Sequence, residues 1–470
     1  MKNPRELEGV LERALAHGGD FAEVFIEHRR GQTIICEAGR IERAATGLDQ
    51  GAGVRVVQGE TTAYAFTNDL TEAGLTAAAE VVAAAVRQGQ GGQVKLPLAG
   101  REAAFTPEIA RFPSEVPLEE KAELVNRANQ AARAVDPQVR QVTVNFREVD
   151  QEVHIANSLG FSAEDRRVRT VLALNAVAAE GEVIQTGYES VGGLKGIEIL
   201  SGRVPEDLAE KAARRAVRML KARPAPSGRM PVVMAAEAGG TMVHEACGHG
   251  LEADLVQKEL SVYAHRKGEK VASELVSVVD DATLPGKYGS FRFDDEGTPG
   301  RRKVLIEKGV LKEYMQSLTT AEKEGVEPNG SGRRESYRHV PIPRMSNTMI
   351  VPGSDDPGRV VAETERGLYV TKMGGGQVNT INGDFVFEVA EGFLIERGEI
   401  GAAVRGATLT GNGPDALGIV DRVGRDAGFS LGTCGKDGQG VAVADAQPTL
   451  RIPELIVGGT ADEPEGRENL

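Results

Sequence analysis

At positions 223–231 the chain reads RPAPSGRMP. Pro224, Pro226 and Pro231 lack an amide donor and Gly228 loosens the backbone, so neither a helix nor an interior strand is expected to run through. A single core seldom grows beyond about 250–300 residues, and this chain has 470. The breaker cluster is therefore read as a linker between residues 1–222 and 232–470. Before it, a charged amphipathic helix pattern is followed by alternating stretches such as FAEVFIEHRR, QTIICEAGRIERAAT and GAGVRVVQGETTAYAFTN, then by a helix at about 70–89. After a Gly- and Pro-rich connection at 90–116 the order recurs: a helix at about 117–135, strands, and a helix at about 204–222. Period-two alternation between turn residues predicts β-meanders, so the first part is expected to be an α+β domain, with two similar halves. Beyond the cluster come short strand patterns and glycine turns, such as RRKVLIEKGVLKEYMQS and DFVFEVAEGFLIERGEIGAAVRGATL. They predict a mainly antiparallel β domain, sandwich- or barrel-like. The fold class of the whole is α+β.

Composition narrows the functions open to such a chain. Its formal charge is −14, with 55 basic residues dispersed among 69 acidic ones, so no basic footprint for nucleic acid is present. No apolar run approaches the roughly 18 residues that a membrane helix requires, and the charged amphipathic start is not expected to be a signal peptide. Cys36, Cys247 and Cys434 are too few and too scattered for a disulfide framework. A soluble cytoplasmic protein without nucleic-acid or membrane partners is expected.

The chemistry is concentrated in TMVHEACGHGLEAD, 241–254. Histidines four apart on a regular helix stand about 40° apart around its axis, and five apart about 140°. His244 and His249 are five apart, and on an unbroken α-helix they face away from each other. A π-type turn with i→i+5 bonding brings them to one side, and Gly248 and Gly250 ease such a distortion. A catalytic zinc needs about three protein ligands and an open position. The spacing does not choose the third among His17, His28, His154, His265, His339 and Cys434, although the glycines around Cys434 in FSLGTCGKDGQGV suit a tight turn that brings a thiolate close. With such a site, Glu245 is placed to accept a water's proton and pass it to a leaving amine, which is amide hydrolysis.

Several stretches in order resemble the TldD family of TldD/PmbA proteins: HEACGHGLEAD, FDDEGTPGRRKVLIEKGVLKEYMQS, GSGRRES, PIPRMSNTMIVPG and GTCGKDGQGV. The likeness is strong across the second half and weak in the first. It implies a zinc metallopeptidase of HExxxH type, with His244, His249 and Cys434 as metal ligands and Glu245 as base. It also implies a dimer, with a PmbA (TldE)-like subunit or a second copy, enclosing a cavity where short or unfolded peptides are cut with little sequence preference, leader peptides among them. Cys247 departs from the family's usual apolar position and is expected to be a buried small side chain. Glu252 and Asp254 are weighed as orienting carboxylates for the metal histidines against plain helix-end charges.

Other features carry weaker expectations. KMGGGQVNTINGD, 372–384, lacks dinucleotide spacing, and its bare backbone or a neighbouring strand edge suits pairing with an extended peptide. Arg333 and Arg334 are placed either at a substrate carboxylate or on the surface. The rival to the peptidase is a non-catalytic peptide-binding or assembly subunit whose metal is structural, closed by a fourth ligand such as Cys247. A metal-independent cysteine hydrolase built on Cys434 leaves Glu245 and the paired histidines without a role.

Overall fold

The computed structural model describes residues 4–86 and 94–460. Helix α1 (Pro4–Ala14) buries Leu7, Val10, Leu11 and Ala14, spaced three and four apart, against strands β1 (Phe21–Glu37), β2 (Arg40–Gln58) and β3 (Thr61–Thr67), and α2 (Glu72–Ala85) completes the unit. The same order follows in α3 (Leu118–Ala134), β4 (Val139–Asn157), β5 (Phe161–Glu180), β6 (Val183–Gly193) and α4 (Val204–Leu220). The last residues of the helix expected at 70–89, the start of the 90–116 connection and the first three residues of the opening helix pattern lie outside the described residues.

These six strands form one antiparallel sheet in the order β3-β2-β1-β4-β5-β6, to which Ala99–Gly100 adds a short parallel pairing on β5. The first strands of the two units lie side by side, from Glu23 opposite Asn157 to Glu37 opposite Thr143. The two helix–three-strand–helix units are thus arranged symmetrically about the β1–β4 pair. Small residues set how closely α4 approaches: Ala212, Ala213 and Ala216 are fully buried, and a Cβ on Gly187 of β6 would lie 2.0 Å from the Ala212 carbonyl oxygen. Only glycine at that point lets the helix rest on the strand.

Beyond residue 222 two sheets share one core. Strands β7 (Gly228–Met234), β11 (Arg366–Val378), β12 (Asp384–Glu396), β14 (Thr408–Asn412) and β17 (Leu450–Gly458) close into a ring, because β11 pairs with both β7 and β12. Strand β13 (Glu399–Arg405) extends it from β12. The second sheet runs β9 (Arg302–Glu307), β8 (Val278–Asp281), β10 (Asn347–Ile350), β16 (Gln439–Gln447), β15 (Gly428–Lys436), with Val310–Leu311 beside β9. Met242, Val243, Ala246, Cys247 and Leu251, from the helical stretch between them in sequence, lie in the same cluster as Met234 and Val389 of the ring and Val278 and Val443 of the second sheet.

The breaker segment differs from the expected linker. Arg223–Pro224 pairs in parallel with Val404–Arg405, and Gly228 already begins β7. Proline is tolerated because this pairing lies at the sheet's outer edge, where a missing donor costs no ladder bond.

A buried ion network fastens the first sheet to the second half. Arg55 on β2 bonds Glu23 on β1 at 2.7 Å and Glu296 at 2.6 Å, and Arg334 bonds Glu23 and the Asp295 carbonyl. Arg167 on β5 bonds Asp165 at 3.0 Å and Asp295 at 2.7 Å. Tyr337 packs on Phe25, Val153 and Ile155, where a Cβ on Gly51 would stand 2.2 Å from its ring. Arg333 is buried too, donating to the Met345 and Ala442 carbonyls. Both arginines are buried, which corrects the surface expectation: Arg334 is spent on the junction and Arg333 on carbonyls within the second half.

Removing one partner of a buried charge pair strands the other, at a cost of about 3–5 kcal/mol. Arg334→Met is therefore expected to lower the free energy of urea unfolding by about that amount. Arg13→Met, at an exposed pair with Glu80, should change it by less than about 1 kcal/mol.

Candidate metal centre

Residues Thr241–Val243 begin as α-helix, and His244–Gly248 widen into one π-helical turn closed by the His249 N–H on the His244 carbonyl. That i→i+5 bond removes the angular mismatch between the two histidines. Their rings stand 4.9 Å apart between centroids, at 86°. Gly248 has ordinary right-handed helical torsions (φ −53°, ψ −60°), so it does not serve by conformational freedom. Its role is room: a Cβ there would meet the Met345 sulfur at 2.3 Å, and one on Gly250 would meet the Tyr263 ring at 2.7 Å.

Cys434 arrives from the opposite side, on β15. It stands in regular pairing with Val441 rather than in the tight turn expected from its glycines, and the reversal comes later, at Asp437–Gly438. One donor atom from each of His244, His249 and Cys434 lies within 4.8 Å of the other two, and all three side chains are strongly sequestered from solvent. The Cys434 sulfur is 3.5 Å from Nε2 of His249.

The outer nitrogens of both rings are taken. Nδ1 of His244 lies 2.8 Å from Oδ1 of Asp445 on β16, and Nδ1 of His249 lies 3.1 Å from Oε2 of Glu252. A carboxylate on Nδ1 fixes the tautomer and leaves Nε2 as the free donor, the usual arrangement behind a metal-binding imidazole. Glu252 is held in turn by Nζ of Lys436 at 3.0 Å, and Asp254 bonds the same lysine at 2.6 Å. Of the two carboxylates weighed from sequence, Glu252 orients a histidine and Asp254 instead anchors Lys436. Arg344, fully buried, donates to the Cys434 carbonyl at 2.5 Å. Asp445, Lys436 and Arg344 were not found in the sequence; their roles arise only from strand pairing.

The electrostatics follow from this shell. Burial raises the Cys434 thiol, but the two imidazoles outweigh it and bring its pKa down to about 5. Burial depresses His249, and Glu252 with the Cys434 thiolate more than offsets this, to about 10. His244 is likewise raised, chiefly by Asp445 against burial. For Glu252, burial is overcome by Lys436 and His249, and its pKa falls to about 2. Burial lifts Glu245 above the usual carboxylate range, against the pull of both imidazoles. Cys247 is excluded from this group. It is fully buried in the core, donates to the Val243 carbonyl at 3.3 Å, and is pushed by burial to about 12.

Two recesses meet at the trio. One, of about 690 Å³, extends between β15, β11 and the outer face of β6; the other, of about 420 Å³, opens toward Gln377, Val378 and Thr380. His244, Glu245, Thr433 and Cys434 line both, so Glu245 borders a continuous cleft. Strand β15 ends its sheet and pairs only with β16 among the described residues. Residues 374–375 of β11 bulge out of register with β12 and also line the larger recess.

Comparison with known sequences agrees with this architecture. Models of the PmbA/TldA metallopeptidase domain 1, central domain and C-terminal domain match residues 22–88, 111–220 and 227–459. The chain belongs to the PmbA/TldD metallopeptidase family. It is 37% identical over 455 residues to a metalloprotease TldD homolog of Haemophilus influenzae, covering 94% of this chain and 93% of that one. It is 38% identical to a metalloprotease of Methanothermobacter thermautotrophicus, covering 94% and 96%. A zinc metalloprotease TldD homolog of Saccharolobus solfataricus is 29% identical over 73% of this chain and 76% of its own. The fold is similar to that of a solved chain from Thermotoga maritima described as a putative modulator of a DNA gyrase, with a TM-score of 0.79 and 25% identity over 93% and 96% of the two chains. It also resembles TldE from Thermococcus kodakarensis, at a TM-score of 0.78 and 20% identity over 97% and 100%. Among the described residues no helix is long and apolar enough to cross a membrane.

The donor set supports a metal cofactor, and binding is coupled to its protonation. The raised imidazoles favour their protonated forms and the lowered Cys434 thiol favours the thiolate. A metal must displace the imidazole protons, so its affinity rises as pH climbs toward about 10 and weakens on acidification. Calorimetric titration in buffers of different ionisation enthalpy should find protons released as metal binds at neutral pH. In the same titration Asp445→Asn is expected to weaken binding about 10–100-fold.

Proposed function

We propose that the chain is a zinc-dependent peptidase that hydrolyses amide bonds in short or unfolded peptides, with His244, His249 and Cys434 as the metal ligands and Glu245 as general base. The observation that carries this reading is the convergence of two carboxylate-backed imidazoles and a thiolate within 4.8 Å, beside a carboxylate that borders the cleft. Nitrogen and thiolate donors suit zinc better than magnesium or manganese, and three protein ligands leave one position for chemistry. When bound, zinc supplies Lewis acidity, which polarises a carbonyl and acidifies water.

The chain's own groups do the rest. Glu245, lifted by burial, is basic enough to take a proton yet able to give it up again to the leaving amine. Asp445 and Glu252 hold the two rings in place. The free edge of β15 next to Cys434 offers main-chain donors and acceptors to an extended peptide, and such pairing reads backbone rather than side chains. Low sequence specificity, as in leader-peptide removal or peptide degradation, follows from that mode of binding.

Elemental analysis and hydrolysis of an unstructured peptide test the reading together. Glu245→Gln is expected to keep its zinc and lose activity by about 10²–10⁴-fold; full activity in that variant would remove Glu245 from the mechanism. Cys434→Ala is expected to lose both zinc and activity, and zinc retained there would expel the cysteine from the ligand set. The working unit is proposed to be a dimer, either with a PmbA-like (TldE-like) chain or with a second copy. Light scattering during activity assays with and without that chain distinguishes the two, and an active monomer would refute both.

A further inference from the structure

The larger recess does not end at the metal group. Away from it, the cavity is walled by α4, the middle of β11 and the end of β13, where Arg215, Lys372 and Arg405 line it together with Tyr188 of β6. Arg215 is buried and fully engaged, bonding the Tyr188 carbonyl, Glu189 and Glu391. The two carboxylates that it uses are heavily shared: Glu391 also takes Arg218, and Glu189 also takes Lys211 and Lys372. Lys211 has a further partner in Glu237. Five cations, Lys211, Arg215, Arg218, Lys372 and Arg405, therefore stand against four carboxylates, Glu189, Glu237, Glu391 and the cavity-lining Glu388.

Two of the five remain open to the cavity. Lys372 is one-fifth exposed and meets Glu189 only at 3.3 Å, a carboxylate already claimed by Arg215 at 2.7 Å. Burial holds the lysine's pKa below its ordinary value, so it lacks full compensation where it stands. Arg405 is half-buried, donates one nitrogen to the Leu220 carbonyl at 3.1 Å, and has no ion pair among the described residues. The register places them on flanking strands: Lys372 opposite Glu391 of β12, and Val404, next to Arg405, opposite Gly392. Glu388 also lines the cavity, but it is exposed to solvent beside the Gly374–Gly375 bulge and bonds neither cation. In a chain of formal charge −14, an unpaired guanidinium beside a weakly compensated ammonium at one end of the cleft is a local inversion, and such a pocket attracts anions.

We propose that this end of the cleft, walled by Lys372 and Arg405, holds a carboxylate of the bound peptide, so that the substrates are peptides presenting a free C-terminus or an acidic side chain there. The proposal rests on the peptidase reading above and narrows its substrate class. A carboxylate matches the site because its two oxygens can accept from the ammonium and the guanidinium together, and charge-assisted bonds of this kind are about twice as strong as neutral ones.

Binding and cleavage are read separately. A fluorescein-labelled, alanine-rich peptide with a free C-terminus and its C-terminal amide are titrated, by anisotropy, against the zinc-loaded full chain carrying Glu245→Gln. The free acid is expected to bind about tenfold more tightly. Arg405→Gln and Lys372→Gln, each added to that chain, should bring the ratio close to one, and Arg405→Lys should restore most of it. A second, amidated pair with Glu or Gln near its C-terminal end distinguishes the sources: preference for Glu there assigns the site to acidic side chains. Equal binding within both pairs, or a preference that survives both glutamine variants, overturns the proposal. Hydrolysis of the same peptides by the chain retaining Glu245 tests the peptidase reading alone. A chain that shows the preference yet cleaves nothing loses that reading and keeps the carboxylate site.

Discussion

One backbone hydrogen bond, from the His249 amide to the His244 carbonyl, sets the geometry on which the site depends. With a normal i→i+4 bond the two rings would point to nearly opposite sides of the helix, and Cys434 would meet at most one of them. Widening the turn by one residue costs regular packing, and the surroundings accommodate it. Gly248 and Gly250 make room for Met345 and Tyr263, while Asp445 and Glu252 hold the rings where the turn has put them. Lys436 then ties Glu252 to the strand that carries Cys434, so that the two sides of the site are positioned by one chain of contacts.

The first half of the molecule contributes a wall rather than a reactive group. Its symmetric sheet ends in β6, whose Thr186, Tyr188 and Ser190 face the recess, and α4 behind that strand supplies Arg215 to Glu391 of the second half. The buried network of Arg55, Arg167 and Arg334 with Glu23, Asp165, Asp295 and Glu296 keeps this wall in register with the ring of strands. Charges so deeply buried contribute little net stability against apolar side chains of equal volume. What they add is geometric: each guanidinium accepts few arrangements of its partners, and the two halves are held in one of them.

Much of this was legible in the sequence, for reasons that differ from residue to residue. The helix–strand–helix repeat shows because amphipathic periodicity is local. The five-residue spacing of His244 and His249 pointed to a π turn because an i→i+5 turn brings residues five apart onto one face. Cys434 was reached through the resemblance, since spacing did not single it out from the five remaining histidines. Arg333 and Arg334 were misread because an arginine on the surface and a buried one look alike until the partners are known. The glycines beside Cys434 were read as a turn, whereas β15 pairs through them in regular register.

The sequence by itself determined the local elements, the distorted helical turn and the donor types within it, because each depends on residues a few positions apart. Only the tertiary structure decided which carboxylate faces which ring, that Lys436 bridges the helix and β15, and that weakly compensated positive charge gathers at one end of the cleft. Asp445 is 201 residues from His244 in the chain, and Glu391 is 176 from Arg215. Partners at such separations leave no local pattern. They are set by strand register, which is itself the outcome of how the two sheets bury a common core.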